Sequence, residues 1–225
     1  MFSHVLSAIA ALLLLPLLCQ AAAVPSGGNV DPKCPHGSYA GFEASVFQYD
    51  VPATKFFNKM GSFLHSEWYS YKATPSLTRQ SQTGPLDSTK GKDNTVGSTR
   101  SGNFSGTLFT ERLVGYSRSA TDLSLSYVLD QGPVTFEGVK LFSYTEELGI
   151  ESICGGRATF ITFTAIFCEA KPGGGYDFYD RVRRDAVGAV ATELGAKIFA
   201  GSCPVRKYIP IIIPETLLTM TSGKD

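Results

Sequence analysis

Residues 97–116, GSTRSGNFSGTLFTERLVGY, place Arg100 and Glu111 on the two arms of a glycine-flanked turn. A guanidinium and a carboxylate on neighbouring strands can do two different things. On a solvated sheet face they form an ordinary cross-strand ion pair worth about 0–1 kcal/mol. Inside a pocket, Arg100 can take an anionic group such as a carboxylate or enolate through bidentate hydrogen bonds, and Glu111 is then placed to act as a general base. With Phe104 and Ser105 at the turn tip, flanked by Asn103 and Gly106, Ser98 falls opposite Glu111 and Arg100 opposite Phe109. Arg100 and Glu111 are then diagonal neighbours on one sheet face, within reach of each other.

Other chemistry-bearing residues are sparse. His65, in FLHSEW beside Glu67, can be read as a base or as a structural histidine near a helix end. Trp68, Tyr69 and Tyr71 suit either ligand stacking or packing of short helices on a sheet. GYDFYDRVRRD, residues 175–185, is busy with charge, but Asp180/Arg184 and Arg181/Asp185 have the spacing of i,i+4 helix pairs. No serine–histidine–aspartate order, nucleotide loop or metal-ligand spacing stands out, so neither a metal nor a cofactor is expected. Asn103 opens an N-F-S sequon, a candidate glycosylation site on a surface turn.

The elements that must position these residues follow from periodicity. ASVFQYDVPA alternates, with Phe47, Tyr49 and Val51 on one face of a strand. ATKFFNKMGSFLHSEW then sets Phe56, Met60, Phe63 and Leu64 at helical spacing, with Gly61 dividing two short helices. Residues 73–92 are rich in Ser, Thr, Gly and Pro and read as a loop. LSLSYVL puts Leu123, Leu125, Tyr127 and Leu129 on one face. TFEGVKLFSYTEEL and RATFITFTAIFCEA are two further strand runs, the second with Ile161, Phe163, Ala165 and Phe167 on a wholly apolar face. After KPGGG, residues 176–199 form a long helix with Phe178, Val182, Ala186, Val190, Leu194 and Ile198 along one stripe, Asp177 as its N-cap and Gly201 past its end. Strands in succession followed by a helix give an α+β protein: an antiparallel sheet covered by its C-terminal helix.

Composition bounds the setting. Twenty acidic and twenty basic residues cancel, and no basic stripe calls for a nucleic-acid partner. An apolar run from Val5 to Cys19, followed by Ala21, Ala22 and Ala23, reads as a secretory signal peptide over 1–23; Pro16 and the Ala-rich, Pro-Gly exit disfavour a membrane anchor. The expected product is secreted, with an extended arm at 24–41, a domain at 42–203 and a Pro/Ile-rich tail at 204–225. Of the five cysteines, Cys34, Cys154, Cys168 and Cys203 remain after the signal. In an oxidising compartment they read as two disulfides with three possible connectivities.

VPATKFF after the first strand, VGSTR, FTERLVGY, LSLSYVL and TFITFTAIFCEA entering the last helix together resemble the helix-grip superfamily. That superfamily includes START domains, birch-pollen-type allergens, plant abscisic-acid receptors, lachrymatory factor synthase and polyketide cyclase/dehydrase-like proteins. The resemblance spans residues 42–200 and implies a curved antiparallel sheet wrapped around a long C-terminal helix, with a hydrophobic cavity between them. It implies a secreted binder of a hydrophobic or amphipathic small molecule, such as a lipid, polyketide or terpenoid-like compound. The implied lining is Phe47, Tyr49, Leu125, Tyr127, Phe163, Phe167, Val182, Ala186 and Val190. Arg100 and Glu111 match positions that face the cavity in the hormone receptors and the synthase. The chain departs from that pattern in the short SGNFSG turn, where relatives carry a longer gate loop, and near Gly138, where they place a ligand-contacting tyrosine.

Within that topology the first strand pairs with the last, bringing Cys34 to Cys168, and the helix end returns Cys203 toward Cys154. Two other functions stay open. One is a cyclase- or dehydratase-like enzyme using Glu111 for proton transfer and Arg100 to hold a developing oxyanion. The other is an extracellular interaction protein with a filled interior, binding through the 73–92 loop or the Ile-rich tail.

Overall fold

The computed structural model describes residues 33–69, 88–104 and 106–201. The signal segment, residues 24–32 of the 24–41 arm, Tyr71, most of the 73–92 loop, Ser105, Cys203 and the 204–225 tail lie outside the described residues. Strand β1 (Tyr39–Tyr49) leads into helix α1 (Ala53–Met60) and a 3-10 turn at Glu67–Tyr69. The strands that follow are β2 (Ser88–Lys90), β3 (Thr99–Phe104), β4 (Thr107–Arg118), β5 (Asp122–Leu129), β6 (Val134–Phe136), β7 (Val139–Ile153) and β8 (Ala158–Glu169), and helix α2 (Gly174–Glu193) comes last. All strand pairs are antiparallel. They form one open sheet in the order β1-β8-β7-β5-β4-β3-β2, with β6 paired to β7 off that path. The fold is α+β, as the strand and helix periodicities require.

Alternation selects the inner face. Glu43, Ser45 and Tyr49 of β1 are buried while Phe42 and Val46 are exposed, and Leu123, Leu125 and Tyr127 of β5 point inward. Helix α1 buries Ala53, Phe56, Phe57 and Met60, the i, i+3, i+4, i+7 stripe of an amphipathic helix. Burying residues such as Phe56, Met60 and Phe63 contributes about 1.5–3 kcal/mol each. Gly61 ends α1, and its N–H bonds the Phe57 carbonyl at 2.9 Å. The expected second short helix is only the 3-10 turn. Side chains from the loop before β3 fix the segment between: Asn94 Oδ1 accepts from the Phe63 N–H at 2.9 Å and Asp93 Oδ1 from the Leu64 N–H at 2.8 Å.

Helix α2 differs from expectation at both ends. It starts at Gly174 with Gly173 as N-cap, and Asp177 lies in the first turn without capping. The cap comes from the sheet: the buried Glu169 carboxylate at the end of β8 accepts from the N–H groups of Gly173 at 2.8 Å and Gly175 at 2.6 Å. A negative group there also meets the positive end of the helix dipole. Gly175 permits the approach, because a Cβ on it would sit 2.2 Å from the Phe167 ring. At the other end the stripe runs past the helix. Leu194 is the C-cap and Gly195 takes φ +64°, so the chain turns well before Gly201. Ile198 is exposed beyond the helix and bridges to Tyr49.

Among the described residues the core gathers into two apolar clusters beneath the helices. One gathers α1 and Phe63 with Leu113, Leu148, Ile161, Phe163 and Val190. The other gathers Phe104, Phe136 and Leu141 with Phe167, Phe178 and Val182. A disulfide joins Cys34 to Cys168, with Cα atoms 5.4 Å apart, as the β1–β8 pairing allows. Cys154 is also disulfide-bonded; its expected partner Cys203 lies outside the described residues.

The Cys34–Cys168 bond spans 134 residues of sequence. Replacing both by serine is therefore expected to destabilise the protein by about 2–5 kcal/mol, read from chemical denaturation midpoints at unchanged slope.

Candidate functional site

Arg100 and Glu111 face the interior. They are directly opposed in the β3–β4 ladder, not diagonal. The correction comes from the turn: Phe104 pairs with Thr107 as the last rung of the ladder, so it is a strand residue and not part of the tip. Gly106 supplies the positive φ such a turn needs, at +86°, and Asn103 Oδ1 accepts its N–H at 2.8 Å. Both side chains are buried, and Arg100 Nε donates to Glu111 Oε2 at 2.6 Å. Arg100 also donates to the Phe63 carbonyl at 2.9 Å, and its guanidinium lies 4.5 Å from the Phe63 ring centre and 4.7 Å from that of Tyr127. The other Glu111 oxygen accepts from the Tyr144 hydroxyl at 2.8 Å. Gly138 sits in the β6–β7 turn, and the phenol at this site comes instead from β7.

A second constellation adjoins the first. Glu43 of β1, Ala165 of β8, Glu146 of β7 and Tyr127 of β5 are successive partners across the sheet. The small Ala165 side chain leaves room between the two glutamates, and fully buried Arg183 reaches them from α2. It donates through Nη1 to Glu43 Oε2 and, at 3.1 Å, to the Phe163 carbonyl. Through Nη2 it donates to Glu146 Oε2 at 3.1 Å and to the Thr164 carbonyl at 2.8 Å. Its guanidinium is 4.3 Å from the Phe163 ring centre and 4.8 Å from that of Tyr179. Glu43 accepts from Ser45 Oγ at 2.5 Å, and Tyr127 donates to Glu146 at 3.2 Å.

Burial sets the protonation states. The Glu146 carboxyl is pushed up to about 7 by desolvation; Arg183 pulls it down and Glu111 pushes it further up. Tyr127, Tyr144 and Tyr179 are raised well above the usual phenol range by burial and by Glu146 or Glu111, so they are neutral donors at physiological pH. Burial alone would lower both arginines. Glu111 for Arg100 and Glu146 for Arg183 outweigh it and raise them, leaving both charged.

Every expected lining residue belongs to or packs against this interior. Tyr49, Leu125, Tyr127, Phe163, Phe167, Val182, Ala186 and Val190 are buried, and Phe47 is half-buried against the core. Trp68 and Tyr69 pack with ring centres 6.3 and 6.0 Å from Phe163. His65 is exposed. On α2, Arg184 does pair with Asp180, but Arg181 pairs with Glu137 of the β6–β7 turn rather than with Asp185.

Five site residues were not singled out from sequence: Glu43, Tyr144, Glu146, Tyr179 and Arg183. The signal was parity. Glu43 shares the face of Phe47 and Tyr49, and Tyr144 and Glu146 share the inward face of Leu148 and Ile150. Tyr179 and Arg183 are one helical turn apart on the buried side of α2.

No family model and no curated protein matches the chain. Among solved structures, a hypothetical protein from Helicobacter pylori is 11% identical, with a TM-score of 0.50 over 68% of this chain and 87% of its own. A protein from Nitrosospira multiformis is 20% identical, with a TM-score of 0.47 over 69% of this chain and 95% of its own. The likeness to the H. pylori protein is one of fold.

Glu146 binds its proton more tightly folded than unfolded, so between pH 4.5 and 7 the native state holds more protons and stability falls as pH rises. Glu146→Gln removes that contribution. From pH 5 to 7.5 the stability of the variant relative to the parent is expected to rise by about 2 kcal/mol in paired denaturation curves. By contrast, Arg183→Met strands Glu43 and Glu146 without their cation. It is expected to cost about 3–5 kcal/mol, largely recovered when both glutamates are also changed to glutamine.

Proposed function

We propose that this is a secreted protein of the helix-grip type that binds a hydrophobic or amphipathic small molecule between its sheet and C-terminal helix. One observation carries the reading: two arginines and three glutamates are buried between two otherwise apolar clusters. Arg100 stacks on Phe63 and Tyr127 of one cluster, while its partner Glu111 bonds Tyr144 of the other. Arg183 lies against Phe163 of the first and Tyr179 of the second. For stability alone, apolar residues of similar volume commonly serve as well as a buried ion-pair network, which points to a role for the polar groups in recognition. An apolar molecule with one polar end matches an interior with this order of surfaces.

Secretion is supported by the apolar 5–19 segment and by the Cys34–Cys168 bond, which fits an oxidising compartment. The N-F-S sequon makes Asn103, at the tip end of β3, the candidate site for a glycan.

A catalytic reading is favoured by a different observation. A general acid–base works best with a pKa near the working pH, and Glu146, pushed up to about 7, meets that condition. In a cyclase- or dehydratase-like reaction Glu146 would move the proton, with Glu111 as the second carboxylate and Arg100 facing the developing oxyanion.

The test is native mass spectrometry of protein collected from its own secretion medium. The expected result is a stoichiometric small-molecule adduct on a chain shortened by its signal segment and carrying a glycan. A spectrum showing only the bare chain, with no adduct taken up from apolar extracts, would overturn the binding reading. Glu111→Gln and Glu146→Gln separate the two functions: a carrier keeps its adduct in both variants, whereas an enzyme retains binding and loses turnover by at least about a hundredfold.

A further inference from the structure

In and beside the buried network, three buried donor atoms have no hydrogen-bond partner among the described residues: Trp68 Nε1, Tyr179 Oη and Arg183 Nε. Buried donors are nearly always satisfied, and leaving one unpaired costs about 1–3 kcal/mol. Three on neighbouring side chains call for an acceptor. Their side chains are neighbours around the Phe163 ring and the Arg183 guanidinium. Trp68 packs on Phe163 with ring centres 6.3 Å apart, Arg183 lies over Phe163 at 4.3 Å, and Tyr179 is 4.8 Å from the same guanidinium. Arg183 and Tyr179 are almost completely buried, at 0% and 1% exposure. The four bonds made by the Arg183 Nη atoms hold the guanidinium in place and leave its Nε edge unused.

Charge narrows what the acceptor is. Arg183 already faces two carboxyl groups, Glu43 and Glu146, and Arg100 faces Glu111. Glu43 and Glu111 already match the two guanidinium groups and Glu146 adds a third carboxyl beside them, so no cation is left over to hold an added anion in this low-dielectric interior. A hydroxyl would bring a proton that Trp68 and Arg183 cannot accept, since the indole and guanidinium nitrogens only donate, and taking it on the Tyr179 oxygen would turn one of the three donors into an acceptor. A carbonyl oxygen offers lone pairs alone and carries no charge.

Resting on the reading that the interior takes an amphipathic molecule, we infer that Trp68, Tyr179 and Arg183 form its head-group subsite, and that the ligand is a neutral carbonyl compound on an apolar body. The subsite is separate from the Arg100–Glu111 pair, whose bonds are made within the protein.

Trp68 is the single tryptophan of the chain, so its fluorescence reports on this position. The test titrates delipidated full-length protein and its Tyr179→Phe variant with methyl nonyl ketone, undecane and undecanoate. In the parent all three arms are read by Trp68 emission and confirmed by native mass spectrometry. The expected result is that Tyr179→Phe weakens the ketone about tenfold and leaves undecane unchanged, while the unliganded variant melts no lower than the parent because only an unpaired hydroxyl has gone. Equal affinities of parent and variant for the ketone would overturn the subsite and leave the binding function standing. Preference for undecanoate in the parent, lost in the variant, would overturn the neutral carbonyl. Failure of all three probes to bind would overturn the subsite together with the amphipathic reading on which it rests.

Discussion

The interior is organised by one insertion. Arg183 descends from α2 onto the inner face of the sheet between Glu43 and Glu146, over the small Ala165 that separates them in the strand row. Taking a guanidinium out of water is tolerable only where its charge is matched and most of its donors are bonded. That requirement fixes α2 against β1, β8 and β7 at once. Glu146 in turn bonds Tyr127, whose ring lies beside Arg100. The α2 insertion and the hairpin pair are thereby parts of one network crossing the middle of the sheet.

That network divides the interior into apolar, polar and apolar layers. The aromatic residues belong to both kinds of layer: Phe63, Tyr127, Phe163 and Tyr179 belong to the hydrophobic clusters and also lie against a guanidinium. Cation–aromatic contact lets a charged group sit inside a core with less loss than packing against aliphatic chains would bring. It also keeps the arginines rigid, since each is bounded by two rings and anchored on a backbone carbonyl. Rigid donors in a dry setting are well suited to selecting one ligand end over another, because little ordering remains to be done on binding.

Much of this could be read from the sequence, and the misses share a cause. Strand faces followed from period-two alternation. The error in the 103–107 turn moved the hairpin register by two positions, so every side chain kept its face and the Arg100–Glu111 juxtaposition survived. The long helix was visible in its apolar stripe, but its end was not: Leu194 and Ile198 continue the period, and only the backbone turn at Gly195 stops it. Its start was misassigned because the capping carboxylate, Glu169, belongs to the preceding strand. Arg183 was hidden by its setting among Asp180, Arg181, Arg184 and Asp185, a charge pattern that reads as a solvated helix face. Its decisive partner Glu43 is 140 residues away, and no local rule relates them.

The central claim is that this polar layer is shaped for a ligand and is not merely a self-satisfied structural network. The most direct measurement is a high-resolution crystal structure of the protein taken from its native source without delipidation. The account predicts continuous density between the sheet and α2, with an oxygen of the bound molecule within hydrogen-bond distance of Arg183 Nε and Tyr179 Oη and both arginine–glutamate pairs intact. Ordered water alone on those donors, or side chains of the protein itself closing over them, would contradict it.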